Sequence, residues 1–155
     1  MTDSQSRFEQ LIDHLHDFTG LDITLESNSC TLVDNNGEEK IVLELPEKSD
    51  LLLFHRMIAR LPSDPDTRNG RALQLLELNS HPEILRGAWL CIDNEAIAIH
   101  LMLGHPLENL TNDSFENLIV NYIELADTLA RELQEEEQEL AQSPSSDMNT
   151  VRIQI

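Results

Sequence analysis

The side chains that could do chemistry in this chain are six histidines, two cysteines and 29 carboxylates, and their spacing decides what they can do. His14 and His16 lie two apart on a stretch of helical period, so they point in different directions. His55 and His100 sit singly in apolar, strand-like runs, and a lone strand histidine reads as a core or rim residue. No His-x-x-x-His or Glu-x-x-His pair supplies the two same-face ligands of a helical metal site. Cys30 and Cys91 lack metal-type spacing, and each falls where a small, reduced core residue fits. There is no G-x-S-x-G elbow, no P-loop and no G-x-G-x-x-G turn. The acidic run Glu135–Glu139 lacks the alternation and glycine of a calcium loop and reads as a solvated face. Among so many acids, chance carboxylate pairs carry no weight. The expectation is a protein with no catalytic residues, no metal and no cofactor, whose work is binding.

The charge narrows what it binds. A formal net charge of -19 repels phosphate backbones and anionic membranes, which argues against nucleic acid and membrane insertion, and favours solubility and basic partners. The polar start MTDSQSRFEQ lacks the apolar core of a secretion signal, and no apolar run approaches the ~20 residues of a bilayer span. Cytoplasm is the expected location. A length of 155 residues suits one domain. Hydrophobic content of 40% with only 4% aromatics implies a core of Leu, Ile and Val.

The elements that must position any site follow from periodicity. Phe8, Leu11, Ile12, Leu15 and Phe18 make one helical stripe, with Thr2 or Ser4 as its cap and Gly20 as its left-handed stop. DITLE (22–26) and SCTLV (29–33) read as a hairpin, and Asp34-Asn35-Asn36-Gly37 as a tight turn into the next strand. A second helix is expected over about 66–80, capped by Asp64 or Asp66 and apolar at Ala72, Leu73, Leu75 and Leu76. AWLCI (88–92) and AIAIHLMLG (96–104) read as strands. The latter puts Ile97, Ile99, Leu101 and Leu103 on one face and is apolar enough on both to be central. Thr111 caps the longest helix, whose pattern dissolves from Glu135. The expected fold is a single α+β domain over residues 1–140, ordered helix, three or four antiparallel strands, helix, two strands, helix. Residues 141–155 read as a flexible tail ending in the β-prone VRIQI.

One stretch, Glu39–Leu61, organises the rest. Ile41, Leu43 and Leu45 alternate with Lys40, Val42 and Glu44, while Leu51–Phe54 is apolar on both faces. Something must cover it, either this chain or another. Val42, Leu52 and Phe54 decide the matter: exposed, they belong to a client site; buried under helices, they are core, and the site moves to the first helix and its hairpin. Trp89 poses the same question, since it lies opposite Leu90 and Ile92 on its strand and faces either an interface or a covering helix.

The strings IVLELPEKSDLLLFHRMI, LRGAWLCIDNEAIAIHLMLGHPLENLT and DSFENLIVNYIELADTL, in this order and in so acidic a chain, resemble the class I chaperones of type III secretion. That is the Tir-chaperone (CesT-type) family, and within it the DspF/AvrF-like effector chaperones. The resemblance spans roughly residues 5–135. It implies a cytoplasmic bacterial homodimer, without cofactor, that binds the N-terminal region of a secreted effector in extended form. That client fills apolar patches and adds a strand to a sheet edge; a secretion-system ATPase is a further implied partner. By position the client patches comprise Phe8, Ile12, Leu15, Ile23, Leu25, Leu32 and Leu43, to which the organising stretch adds Val42, Leu52 and Phe54. The dimer interface comprises Leu73, Leu76, Leu85, Trp89 and Leu90. The tail after Glu135 has no counterpart in the pattern. The competing expectation, resting on charge alone, is an acidic inhibitor or immunity protein that masks a basic partner.

Overall fold

The computed structural model describes residues 3–18 and 20–142. Helix α1 (Asp3–Phe18) is followed by a meander of four strands, β1 (Asp22–Glu26), β2 (Ser29–Val33), β3 (Glu39–Glu44) and β4 (Leu51–Arg60). Then come α2 (Pro65–Leu78), the single turn α3 (Pro82–Leu85), β5 (Trp89–Asp93), β6 (Ala98–Pro106) and the long α4 (Asn112–Gln142). The six strands form one antiparallel sheet in the order β1-β2-β3-β4-β6-β5, which is the α+β fold expected. Turn chemistry explains the meander. Gly37 takes φ +79°, and the Asp34 carboxylate accepts from the backbone N–H of Asn36 and Glu38 at 2.8 and 3.0 Å, closing the β2–β3 turn. Asp64 caps α2 by accepting from Thr67 N–H at 2.9 Å, and the Thr111 hydroxyl accepts from Ser114 N–H at the start of α4. Gly20 (φ +61°) lies just past α1, as a C-cap glycine should. The proposed cap at Thr2 lies outside the described residues, and Ser4 is inside the helix, bonded to Asp50.

One face of the sheet carries the core. Leu32 stands beside Ile41, Cys30 beside Leu43, and Leu43 beside Phe54, so these side chains share the face on which α1 and α4 lie. Phe8, Leu11, Ile12 and Leu15 of α1 and Phe115, Ile119, Tyr122 and Ala126 of α4 fill the space above them. Phe54 packs edge-on to Phe115 with centroids 6.2 Å apart and lies 6.0 Å from Tyr122. The Tyr122 hydroxyl donates to the Leu101 carbonyl at 2.8 Å, which satisfies its one buried polar atom. Two buried arginines fasten the layers. Arg56 of β4 donates to Asp127 of α4 at 2.6 Å and to Glu38 of the β2–β3 turn at 2.9 Å. Arg71 of α2 donates to Glu136 of α4 at 2.6 Å.

Two expectations on the elements are corrected. Ile97 is not a strand residue on the core face but sits at φ +51° in the β5–β6 turn, half exposed, its carbonyl accepting from Leu61 N–H at 2.9 Å. Helix α4 does not end near Glu135; it continues to Gln142, because glutamate is a good helix former and Glu136 is tied to Arg71 and Gln74. The apolar side expected for α2 divides: Leu75, with Arg71, enters the core, and Leu73 and Leu76, expected at an interface, face outward. VRIQI lies outside the described residues.

Candidate client-binding surface

The two sides of the sheet divide the expected site residues. Phe8, Ile12, Leu15, Leu32, Leu43, Leu52 and Phe54 are all fully or almost fully buried between the sheet and the helices. As side chains without accessible surface they are core, and the expectation that they form client patches is corrected. The reason is that β3 and β4 carry their apolar alternation in register, which places Leu52 and Phe54 on the helix side together with Ile41, Leu43 and Leu45. Val42 falls on the opposite side, half-buried. Two residues of the first hairpin also reach the surface: Ile23, half-buried, and Leu25, 51% exposed. They lie on β1, which is one edge of the sheet and is exposed at four of its five residues.

The side of the sheet away from the helices is apolar at its centre. Val42, His55 and Met102 stand in one row with Trp89, and Met57, His100 and Cys91 stand in the next. Trp89 is 39% exposed and Met57 44%, so among the described residues no helix covers this face. The His55 and His100 rings are 6.5 Å apart, and Glu44 approaches His55 at 3.4 Å. Burial, reinforced by the neighbouring His55, holds His100 below the usual histidine pKa, so His100 is neutral at pH 7. Burial pushes the Cys30 thiol up to about 12, and burial with Asp93 raises Cys91. Both thiols are therefore protonated and unreactive at pH 7.

The expected interface residues also separate. Leu73 (69% exposed), Leu76 (64%) and Trp89 are at the surface. Leu85 and Leu90 are core, which corrects their placement at an interface: Leu90 alternates with Trp89 and so points to the helix side, and Leu85 is drawn in by the α3 turn. The open concavity between the start of α1, the β1–β2 turn and the β3–β4 loop is lined by polar groups such as Ser4, Gln5, Asn28 and Lys48. Among the described residues, no group of three His, Cys, Asp or Glu side chains could hold a metal ion.

Residues 10–130 match the Tir chaperone protein (CesT) family. The chain belongs to that family. It is therefore a chaperone of the type III secretion class and not an enzyme. The CesT-family fold is also that of two solved structures. A chain of the HopA1–SchA chaperone–effector complex superposes with a TM-score of 0.65 at 15% identity, covering 84% of this chain and 98% of that one. A chain of the ExsC–ExsE complex superposes with a TM-score of 0.67 at 19% identity, covering 84% and 96%. No curated protein sequence matches the chain. In this CesT-family chain no helix among the described residues is long and apolar enough to cross a membrane.

Two polar residues that matter here gave no local signal in sequence. Arg56 finds its partners 71 and 18 residues away, and Asn79 bonds the backbone of Leu90. The string Asn79-Ser80-His81-Pro82 is legible as a helix stop, but not as the source of a side chain that reaches a strand.

Proposed function

We propose that this CesT-family chaperone acts in the bacterial cytoplasm as a homodimer that holds a segment near the N-terminus of a secreted effector in extended form. Held so, the effector stays soluble and secretion-competent. The observation that carries the reading is the exposed edge strand β1 with Leu25 and Ile23 on it, joined to a sheet whose far face is apolar and uncovered. An extended segment gains main-chain hydrogen bonds along such an edge and places alternate side chains against the apolar positions. The similarity to chains from a chaperone–effector complex and from the ExsC–ExsE complex supports it. The exposed Leu73 and Leu76 of α2 and Trp89 of β5 support the second copy as their cover. Both surfaces lie within the proposed domain 1–140.

An acidic decoy for a basic partner has only the charge of -19 in its favour, and family membership speaks against it. Salt separates the two. Client affinity measured from 0.05 to 1 M NaCl is expected to change little if apolar side chains and backbone hydrogen bonds hold the segment. A steep, continuous loss with salt would contradict the proposal.

A further inference from the structure

The β5–β6 hairpin breaks a local rule at one residue. Asp93 ends β5 and Ala98 begins β6, and the two stand opposite each other, so residues 94–97 make the loop between them. The Asp93 carboxylate accepts from the backbone N–H of Glu95 and of Ala96 at 2.9 and 3.1 Å, which sets the first part of the turn. Ile97 closes the loop at φ +51°, and its carbonyl then accepts from Leu61 N–H at 2.9 Å. Glycine or asparagine suits that conformation, whereas a side chain branched at Cβ crowds the backbone in it. Among the described residues Lys48 and Arg86 are the other non-glycine residues at positive φ, and neither is branched at Cβ. Ile97 also leaves its apolar side chain 47% exposed. Glycine would serve the turn better, and the core does not enclose the isoleucine. A residue kept against both rules points to a contact outside the chain.

Its place says which contact. Leu61, which bonds Ile97, leads through Pro62 and Asp64 into α2, and Asn79 at the far end of α2 bonds Leu90 of β5. Helix α2 therefore runs along the β5 side of the sheet, from the hairpin to Leu90. Of nine large apolar side chains exposed among the described residues, five belong to this one region: Leu73, Leu76, Ile84, Trp89 and Ile97. The client edge is remote from it, since β6 stands four strands from β1, about 19 Å at the usual strand spacing. We infer that Ile97 is held out of the β5–β6 turn as an anchor for the second copy, extending the interface of Leu73, Leu76 and Trp89 around the hairpin. The inference rests on the homodimer proposed above. A two-fold interface presents the residue twice, so one substitution removes two contacts.

The full chain is compared with Ile97→Val, Ile97→Ala and Ile97→Gly. Sedimentation equilibrium reads the dimer dissociation constant, and urea unfolding at one fixed protein concentration reads stability. Alanine and glycine both remove the apolar contact, so they should weaken the dimer alike, by about tenfold or more, and valine by well under that. Alanine keeps the Cβ that the left-handed conformation strains, and glycine removes it. Ile97→Gly should therefore unfold at higher urea than Ile97→Ala, the reverse of their ordinary order in a helix or strand. A dimer weakened in the better-folded glycine variant does not owe its loss to a broken turn. Dimers as tight as the wild type in both the alanine and glycine variants overturn the inference and leave the homodimer standing; client binding lost from those same dimers would assign Ile97 to the client instead. Ile97→Ala unfolding at or above the urea midpoint of Ile97→Gly overturns it too, because the side chain is then under no constraint at that place. A wild-type chain that is monomeric at every concentration removes the homodimer and the inference with it.

Discussion

Replacing Phe54 by alanine tests most sharply where core ends and binding surface begins. Phe54 has no exposed surface, stands at the centre of β4, and touches the rings of Phe115 and Tyr122 with centroids 6.2 and 6.0 Å away. Truncating a buried phenylalanine costs about 3–5 kcal/mol, from lost burial and from the cavity left between sheet and α4. The two ring contacts place Phe54 in the upper part of that range. Domains of this size are stable by only about 5–15 kcal/mol, so the variant loses about a quarter or more of its stability. Urea unfolding followed by far-ultraviolet circular dichroism reads this directly, at one fixed protein concentration because a dimer links stability to concentration. Leu25→Ala is the control: an exposed edge residue should cost well under ~1 kcal/mol. If Phe54→Ala unfolds within ~1 kcal/mol of the wild type while client binding is lost, the side chain is reached by the client and the assignment of core is wrong.

Three further outcomes follow from particular residues. Leu76→Asp and Leu73→Asp, both on the exposed side of α2, should shift the chain from dimer to monomer in light scattering while leaving its unfolding midpoint as a monomer near that of other surface variants; an intact dimer in both would remove α2 from the interface. His100 is held below the ordinary histidine pKa when folded, so the unfolded chain binds the proton first. Stability should be full above about pH 6.5, the ordinary histidine pKa, and fall as pH drops below it. His100→Gln should flatten that slope, and an unchanged slope would place its origin elsewhere. A chain ending at Gln142 should unfold with the midpoint of the full chain, since α4 is already fastened through Leu133 and Glu136; a clear loss of stability would mean that residues 143–155 dock.

Much of the fold was legible because its signals are local. The stripe Phe8-Leu11-Ile12-Leu15, the Asn36-Gly37 turn, the Asp64 and Thr111 caps and the alternation of β3 each act within a few residues, and each appears where periodicity puts it. The site was less legible because burial is set by neighbours distant in sequence. Leu52 and Leu53 are alike as residues, yet the register of β4 against β6 sends one under the helices and the other to the open face. Leu75 and Leu76 divide in the same way on α2, and only the packing of α2 beside α4 and β5 says which is core. Ile97 was misplaced because a β-branched residue is an unusual occupant of a left-handed turn. Leu25 and Trp89 are exposed because their strands are the two edges, an order fixed when β6 inserts between β4 and β5.

The central claim is that an extended, unfolded effector segment lies on this chain, and limited proteolysis of a captured complex tests it most directly. The tagged chain is isolated with its partner from a host cell carrying the secretion apparatus, at high salt, digested, and the protected partner fragment sequenced. The expected result is a short fragment from near the N-terminus of one secreted protein, without structure of its own when released. A folded basic domain that leaves the chain in high salt would contradict it.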